Sequence, residues 1–284
     1  MERRPYGSTG DSLSLVGLGG VAFVGLDQPE SDRLVAEAID AGVNYFDVAP
    51  SYGHEQETEK RLGPALKPYR DQAFLACKTA VRTADGAAAE LERSLRHLET
   101  EHFDLFQLHA ITTVEEVETC FAPGGAMEVI LAAQKAGKIR HIGFSAHSVD
   151  AAFRALDLFP FTSALFPINF VLYQQGSFGP QIVERCVRDG AARLALKAMA
   201  RTHWTEGAPR AFPNCWYEPI SDKALSELAL RFTLSEPVTA AVPPGDVRLW
   251  RWAVEFAQRF RPLDASERAT LEQAAEDLQP IFKV

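Results

Sequence analysis

The sequence contains little cysteine and no long hydrophobic run. Its cysteines are widely spaced and form no Cys-x-x-Cys pair, so no zinc site, iron–sulfur cluster or other metal site is expected. They are Cys77, Cys120, Cys186 and Cys215. No apolar stretch approaches the roughly eighteen residues of a transmembrane helix, and the charged residues 1–5 lack the following apolar segment of a signal peptide. We therefore expect reduced thiols in a cytoplasmic protein that has no membrane partner.

Basic residues are also in deficit. Lys and Arg number 29 against 38 Asp and Glu, which leaves a formal net charge of -9. A field of this sign repels polyanions, so a nucleic-acid partner is not expected. The hydrophobic fraction of 46% and the charged fraction of 24% are typical of a soluble globular protein. A chain of 284 residues is long for one domain, and α/β barrels commonly reach this size.

Strand-like and helix-like segments alternate along the chain, which predicts parallel strands joined by crossover helices. The predicted strands are 16–20, 44–48, 74–78, 105–109, 141–145, 163–170, 193–199 and 238–242. The predicted helices are 29–41, 55–66, 85–98, 125–136, 149–158, 180–188, 221–234 and 248–260. Eight such pairs indicate an α/β fold, a (β/α)₈ TIM barrel formed by residues 1–284 as a single domain. A β-hairpin within 3–16 precedes the barrel, an extra helix at 264–278 follows it, and 110–124 and 200–219 are predicted as long loops.

Polar side chains mark the ends of three consecutive predicted strands. Asp47 lies where a strand gives way to a loop, and Lys78 and His109 close the next two strands. Side chains alternate along a strand, so all three point into the barrel mouth if the intervening apolar residues face the helices. Tyr52 follows Asp47 by five residues in the same loop. Three ionisable groups in one mouth are hard to explain as packing, and they predict an active site.

These four residues resemble the tetrad of the aldo-keto reductase family. The resemblance extends to the segments Tyr6-Gly7-Ser8-Thr9-Gly10, Gly17-Leu18-Gly19-Gly20 and Gly137 to Ser145, and it covers most of residues 3–200. It implies an NAD(P)H-dependent oxidoreductase that reduces an aldehyde or ketone to an alcohol. The expected partner is therefore a small-molecule carbonyl substrate, and the expected assembly is a monomer or a weak homo-oligomer.

The resemblance implies a role for each tetrad residue. Tyr52 would donate a proton to the carbonyl oxygen, and His109 would orient the carbonyl and stabilise the developing oxyanion. Lys78 beside the phenol favours phenolate and is expected to lower the pKa of Tyr52, while Asp47 would keep Lys78 charged. No side chain supplies hydride, so a nicotinamide cofactor is required. NADPH is expected, with NADH possible.

Cofactor contacts are predicted at five positions: Ser145, Asn169, Lys197, Gly245 and Arg248. Ser145 matches the first half of a Ser-Asn pair that holds the carboxamide in the family, but Ala146 replaces the asparagine. Gly245 admits a phosphate close to backbone amides, and Arg248 opens a helix whose N-terminus favours anions. Asp246 lies between them and opposes the 2′-phosphate of NADP.

Two other functions are compatible with these residues. A binding or regulatory barrel could retain the tetrad but turn over poorly, as the altered cofactor positions would suggest. An enzyme could instead retain its cofactor and carry out oxidation followed by re-reduction, for example on a sugar.

Overall fold

The computed structural model describes residues 1–283, in which a ring of parallel strands is surrounded by helices. The strands are β1 (Arg3–Pro5), β2 (Ser12–Ser14), β3 (Leu18–Gly19), β4 (Tyr45–Asp47), β5 (Phe74–Thr79), β6 (Phe103–Ile111), β7 (Ile139–Ala146), β8 (Ser163–Pro167), β9 (Ala192–Leu196), β10 (Ala200–His203), β11 (Tyr217–Pro219) and β12 (Ala240–Val242). The α-helices are α1 (Gln28–Asp40), α2 (Glu57–Leu66), α3 (Ala84–His97), α4 (Val114–Phe121), α5 (Ala126–Lys135), α6 (Val149–Leu158), α7 (Phe170–Gln175), α8 (Pro180–Asp189), α9 (Lys223–Ser235), α10 (Val247–Gln258) and α11 (Ala265–Ala275). Short 3-10 helices span Gly20–Phe23, His54–Gln56 and Lys67–Gln72.

The central sheet contains eight parallel strands in the order β3-β4-β5-β6-β7-β8-β9-β12. A parallel bridge between Val16 and Ala241 closes the ring, and the amide of Gly17 donates to the carbonyl of Ala241 at 2.9 Å. The (β/α)₈ barrel expected from the alternation of strands and helices is therefore confirmed. Parallel strands direct their carboxyl ends toward one rim, and the tetrad candidates lie at that rim.

Side-chain alternation divides the core into two parts. The inner core fills the barrel and comprises Tyr6, Leu13, Tyr45, Phe74, Ala76, Leu105, Leu165, Ala192, Leu194, Ala240 and Val242. The intervening strand residues belong to the larger core that includes the helices, among them Phe46, Leu75, Cys77, Phe106 and Leu108. Complete burial of one leucine or phenylalanine side chain contributes about 1.5–3 kcal/mol through the hydrophobic effect. The strand faces are those predicted from the period-two pattern.

The hairpin and the last helix also match the prediction. β1 and β2 pair antiparallel, and the Tyr6 hydroxyl that follows β1 donates to Ser163 Oγ at 2.8 Å, which ties the hairpin to the barrel. At the other end of the chain, Asp264 and Glu267 form a capping box at the start of α11. Arg231 of α9 donates to both carboxylate oxygens of Glu267, at 2.8 and 2.6 Å, and so fixes α11 to the barrel helices.

Two segments that the sequence analysis treats as loops contain regular structure, so those predictions were wrong. Residues 110–124 include α4, which begins at a capping box formed by Thr113 and Glu116. Residues 200–219 include the antiparallel pair of β10 and β11. The predicted strand 163–170 also ends earlier, because Asn169 caps α7. Local hydrogen bonds that satisfy helix-terminal amides decide each of these helix starts.

None of the described helices is long and apolar enough to cross a membrane.

Candidate active site

The barrel brings the four tetrad candidates together at one rim. Asp47 ends β4, Lys78 lies in the neighbouring strand β5, and His109 lies in β6 beyond it. The Lys78 ammonium donates to Asp47 and, at 3.2 Å, to the carbonyl of Val48. The same nitrogen lies 5.3 Å from the centroid of the Tyr52 ring. The rings of Tyr52 and His109 meet edge to face, with centroids 5.7 Å apart.

Two partners of Asp47 were missed by the sequence analysis. The Tyr45 hydroxyl donates to Asp47 Oδ2 at 2.9 Å, and Gln107 Nε2 donates to the same oxygen at 3.2 Å. Both residues share the inward strand face with the three tetrad candidates that lie on strands, so the period-two pattern contained the signal that would have identified them. A side chain at Gly17 would place its Cβ 2.6 Å from the Tyr45 ring, so glycine is needed there for Tyr45 to fill the barrel.

Burial and charge set the protonation states of Lys78 and Tyr52 in opposite ways. Burial opposes the charged ammonium of Lys78, but the Asp47 carboxylate and Tyr52 together raise the pKa of Lys78 above its usual value. For Tyr52, burial outweighs the nearby Lys78 ammonium and raises the pKa of the phenol. Lys78 does act to lower the pKa of Tyr52, as expected, but the net shift is upward because of the burial of the phenol, which the sequence could not show. The result is a neutral phenol beside a cation.

His109 is an uncharged imidazole at neutral pH. Burial, and then the positive charge of Lys78, hold the pKa of His109 well below its usual range. A neutral imidazole carries one N–H donor and one acceptor nitrogen. It can therefore donate a single hydrogen bond to an oxygen atom in the mouth.

The backbone that carries His109 is irregular. The pairing of β6 with β7 shifts between Leu108 and Ile111, and Ala110 has a φ of 51°, in the left-handed region. Arg82 donates to the carbonyl of His109 at 2.8 Å, and the amide of Ala110 donates to Ser145 Oγ at 2.7 Å. A β-bulge of this kind redirects a side chain, and the two hydrogen bonds maintain the strained turn. Arg82 was missed by the sequence analysis, because only the folded loop brings it to His109.

The predicted cofactor contacts Ser145 and Asn169 differ in the hydrogen bonds that they already make. Ser145 accepts from Ala110 but keeps its own hydroxyl proton to donate. The Asn169 side chain accepts from the amide of Leu172 at 2.9 Å and donates to the carbonyl of Lys197 at 3.0 Å. The amide of Asn169 thus serves as a helix cap and fixes the end of β9, while its role toward a cofactor stays a prediction.

A small cavity adjoins the tetrad. It has a volume of about 90 Å³ and is lined by Gly19, Val21, Asp47, Tyr52, Leu196, Lys197, Asn214, Cys215, Trp216, Tyr217, Val242, Pro243 and Gly245. Two of the predicted cofactor residues, Lys197 and Gly245, therefore lie beside the tetrad. At Gly245 a Cβ would come within 2.3 Å of Val21 Cγ1, so only glycine fits there.

Arg248 lies outside this lining and is already engaged. Its guanidinium donates to both carboxylate oxygens of Asp246, at 2.9 and 2.8 Å, and to the carbonyl of Ala211 at 2.9 Å. It also lies 4.7 Å from the centroid of the Phe212 ring. The positive charge of Arg248 is thereby neutralised within the chain.

Part of segment 200–219 covers the mouth. Trp216 and Tyr217 line the cavity, whereas Trp204 donates from its indole nitrogen to the carbonyl of Cys215 at 2.8 Å. Asn214 Nδ2 donates to the carbonyl of Val24 at 3.3 Å, which links the segment to the loop after β3. Trp216 and Tyr217 therefore face the pocket, whereas Trp204 stabilises the segment itself.

The four cysteines are buried free thiols. Among the described residues, no group of three or more histidine, cysteine, aspartate or glutamate side chains is arranged to hold a metal ion.

Proteins from Bacillus subtilis and Schizosaccharomyces pombe are similar to this chain in sequence. Aldo-keto reductase YhdN of Bacillus subtilis is 35% identical over 175 residues, which are 55% of this chain and 51% of that protein. An uncharacterized oxidoreductase of Schizosaccharomyces pombe is 30% identical over 215 residues, or 71% of this chain and 65% of that protein. The chain spans about half the length of the Bacillus subtilis relatives that it matches.

Solved structures establish the same fold. The holo form of aldo-keto reductase AKR11C1 from Bacillus halodurans has a TM-score of 0.77 at 21% identity, with 100% of both chains covered. A putative aldo-keto reductase from Pseudomonas aeruginosa has a TM-score of 0.72 at 24% identity, covering 90% of this chain and 95% of that one. The sequence model of the Aldo/keto reductase family matches residues 15–192, which include the whole tetrad. The chain belongs to the aldo/keto reductase family.

Proposed function

We propose that this protein is an NAD(P)H-dependent reductase that converts an aldehyde or ketone to an alcohol. One observation carries the proposal: a neutral phenol, Tyr52, lies against the Lys78–Asp47 ion pair and meets the neutral imidazole of His109. A proton donor, its cationic neighbour and a second hydrogen-bond donor are the groups that carbonyl reduction requires of a protein. Membership of the aldo/keto reductase family supports the same activity.

Tyr52 acts as the proton donor. Its raised pKa keeps the phenol protonated at neutral pH. The Lys78 ammonium, held charged by Asp47, stabilises the phenolate that forms when the proton leaves. The ammonium therefore acts on the transition state and the product of proton transfer rather than on the resting enzyme.

His109 orients the substrate. Its single N–H donates to the carbonyl oxygen and stabilises negative charge as it develops there. A cationic imidazole beside the Lys78 ammonium would be unfavourable. The low pKa of His109 keeps the imidazole neutral, so it can serve as a hydrogen-bond donor without adding a second positive charge. The hydride comes from the reduced nicotinamide cofactor.

The residues at the rim fit such a cofactor. The hydroxyl of Ser145 keeps a proton to donate. Gly245 exposes its backbone at the cavity, at a position where a side chain would collide with Val21. The helix that starts just after Gly245 has a dipole that favours a phosphate near its N-terminus, where the Asp246 side chain already accepts from the amide of Arg248 at 2.9 Å. We propose Ser145 and Gly245 as contacts to the cofactor, with Arg248 at the outer end of the same site.

Cofactor preference depends on Asp246. The Arg248 guanidinium is paired with this carboxylate, so a 2′-phosphate would have to compete for it. We propose NADPH as the cofactor and expect NADH to be accepted with only a modest loss of affinity.

The variant Tyr52→Phe tests the assignment. Removing only the hydroxyl should reduce kcat by a factor of about 10² or more, because a positioned general acid contributes about 10²–10⁴-fold. The Kd for NADPH, measured by quenching of tryptophan fluorescence, should stay within about twofold of wild type. Unchanged kcat in this variant would refute Tyr52 as the proton donor.

A binding or regulatory role is the second candidate, and one observation favours it. The Asn169 side-chain amide already donates one hydrogen bond and accepts another from backbone groups, and Ala146 has no polar side chain, so the cofactor carboxamide has fewer partners. Titration with NADPH and with NADH separates the two functions. Micromolar binding of either supports the reductase, whereas no binding to well-folded protein supports the binding role.

A further inference from the structure

The side chain of Lys197 has no partner of opposite charge. Its Nζ makes no hydrogen bond and no ion pair within residues 1–283. It lies instead 5.3 Å from the ring centroid of Trp216 and 5.6 Å from that of Tyr217. Both rings belong to the segment that covers the mouth, so the ammonium is half-enclosed by aromatic faces and lines the cavity next to Tyr52.

The backbone at Lys197 is held in a strained conformation. Its φ of 64° lies in the left-handed region, which costs a non-glycine residue of this kind about 1 kcal/mol or more. The Lys197 carbonyl accepts hydrogen bonds from Asn169 Nδ2 and from the amide of Ala200, at 3.0 and 2.9 Å. Two contacts therefore maintain a conformation that directs a lysine toward the cavity.

No carboxylate in the cavity is available to neutralise Lys197. The cavity lining contains one carboxylate, Asp47, and that group already accepts from Lys78, Tyr45 and Gln107. Burial, and to a smaller extent Lys78, lower the pKa of Lys197 to about 8, so the ammonium is still the main form at pH 7. A partly desolvated charge without a partner is unfavourable, and a ligand that brings a negative charge would relieve this cost.

The charge of Lys197 also acts on two histidines. Burial is the main cause of the low pKa values of His109 and His147; the Lys197 charge adds to it at His147, and at His109 it comes after the charges of Lys78, His147 and Arg82. His147 stacks on Phe282 with ring centroids 4.9 Å apart, and its Nε2 is buried without a hydrogen-bond partner in the described chain. The Lys197 ammonium lines the same cavity as Tyr52, whereas Arg248 lies outside the cavity lining.

We propose that Lys197 binds an oxyanion group of the substrate, so that the preferred substrates are aldehydes or ketones carrying a carboxylate or phosphate. This inference rests on the proposed function and assigns Lys197 to the substrate rather than to the cofactor. The reaction transfers a hydride to the carbonyl carbon and the Tyr52 proton to its oxygen, giving an alcohol and the oxidised cofactor. The oxyanion group is unchanged and serves only for recognition.

The test compares each charged substrate with a neutral analogue of similar shape. Glyoxylate, succinic semialdehyde and 4-carboxybenzaldehyde are assayed against their methyl esters, and glyceraldehyde 3-phosphate against glyceraldehyde. For at least one pair, wild type should favour the anion in kcat/KM by about 10- to 100-fold, the value of a charge-assisted hydrogen bond. Lys197→Met should reduce this preference by about the same factor through KM, and Lys197→Arg should retain most of it.

Lys135→Met is the matched control, because it removes the same charge from an exposed position on α5. It should leave the anion preference unchanged. A wild-type enzyme that prefers the neutral partner in every pair would overturn the proposal. So would a Lys197→Met variant whose Kd for NADPH and NADH rises by the same factor as both KM values, since Lys197 would then hold the cofactor.

Failure of the proposed function gives a different result. If wild type reduces neither member of any pair with NADPH or NADH, the reductase assignment is wrong. The oxyanion site is then decided by titrating the protein with succinic semialdehyde or its ester and following tryptophan fluorescence, since Trp216 lies beside Lys197. Saturable quenching by the anion alone, lost in Lys197→Met, supports the site, and equal responses to both compounds refute it.

Discussion

Replacement of Asp47 by asparagine should damage both the stability and the chemistry of the barrel mouth. Asp47 is 1% exposed and accepts hydrogen bonds from Lys78, Tyr45 and Gln107. Asparagine keeps the shape of the side chain but removes its charge, which leaves the fully buried Lys78 ammonium without a counterion. Removing one member of a buried ion pair costs about 3–5 kcal/mol. That is a large share of the roughly 5–15 kcal/mol that stabilises a typical domain.

The pH dependence of this loss distinguishes an unpaired lysine from a simple packing defect. In wild type, the raised pKa of Lys78 contributes stability that is present below its unfolded-state value and is lost as pH rises through the folded value. In Asp47→Asn, burial dominates and lowers the pKa of Lys78, so the unfolded chain binds more protons and stability rises with pH. The difference in unfolding free energy between the two proteins should therefore shrink between pH 7 and 9.5.

Urea denaturation at both pH values and steady-state kinetics at pH 7 measure these effects. We expect kcat to fall by about 10² or more, because a neutral Lys78 no longer stabilises the phenolate of Tyr52. Asp104→Asn is the matched control, since Asp104 is also buried and pairs with Arg70 and Arg140, at 2.9 and 2.7 Å, at the opposite end of the barrel.

The control should lose stability while turnover per folded molecule is retained. An Asp47→Asn protein that is as stable as wild type, or that turns over normally, would refute the ion pair as the basis of the site. A stability loss that stays constant between pH 7 and 9.5 would refute the argument about Lys78 protonation.

Three further changes have expected outcomes. Arg82→Ala removes the hydrogen bond to the His109 carbonyl and should lower kcat about tenfold without changing the Kd for NADPH. Arg82→Lys should partly restore kcat. A rise in the Kd as large as the fall in kcat would contradict a positioning role. Asp246→Asn frees Arg248 and should shift the ratio of Kd values for NADH and NADPH toward NADPH by about 3- to 10-fold, and an unchanged ratio would place the 2′-phosphate elsewhere. His147 has a pKa near 3 in the folded protein, so on acidification the unfolded chain takes up this proton before the folded state does. Between pH 7 and 4.5, wild type should therefore lose about 2–3 kcal/mol more stability than His147→Gln, as measured by urea denaturation.

Strand periodicity explains how much of the site was predictable. Asp47, Lys78 and His109 occupy alternate positions on strands whose other faces are apolar, and neighbouring parallel strands end at the same rim. These two facts suffice to place three side chains in one mouth. The same reasoning applied to Tyr45 and Gln107 would have identified the remaining partners of Asp47.

The family assignment was also available from the sequence, because the tetrad and the glycine-rich segments are local motifs. The helix in 110–124 could have been recognised from the pattern of Thr113 followed by Glu116, which forms a capping box. The β10–β11 pair was less accessible, because its strands are separated by more than a dozen residues and pair only after the segment folds over the barrel.

The amino-acid sequence by itself determined the order of the eight barrel strands and their crossover helices, the inward faces of the strands that carry the site, and the four tetrad candidates, because these depend on residue type and spacing. The tertiary structure decided the direction of the pKa shift of Tyr52, the engagement of Asn169 and Arg248, and the isolation of the Lys197 charge. Each of these depends on which distant groups meet and how completely water is excluded. Spacing along the chain does not specify either quantity.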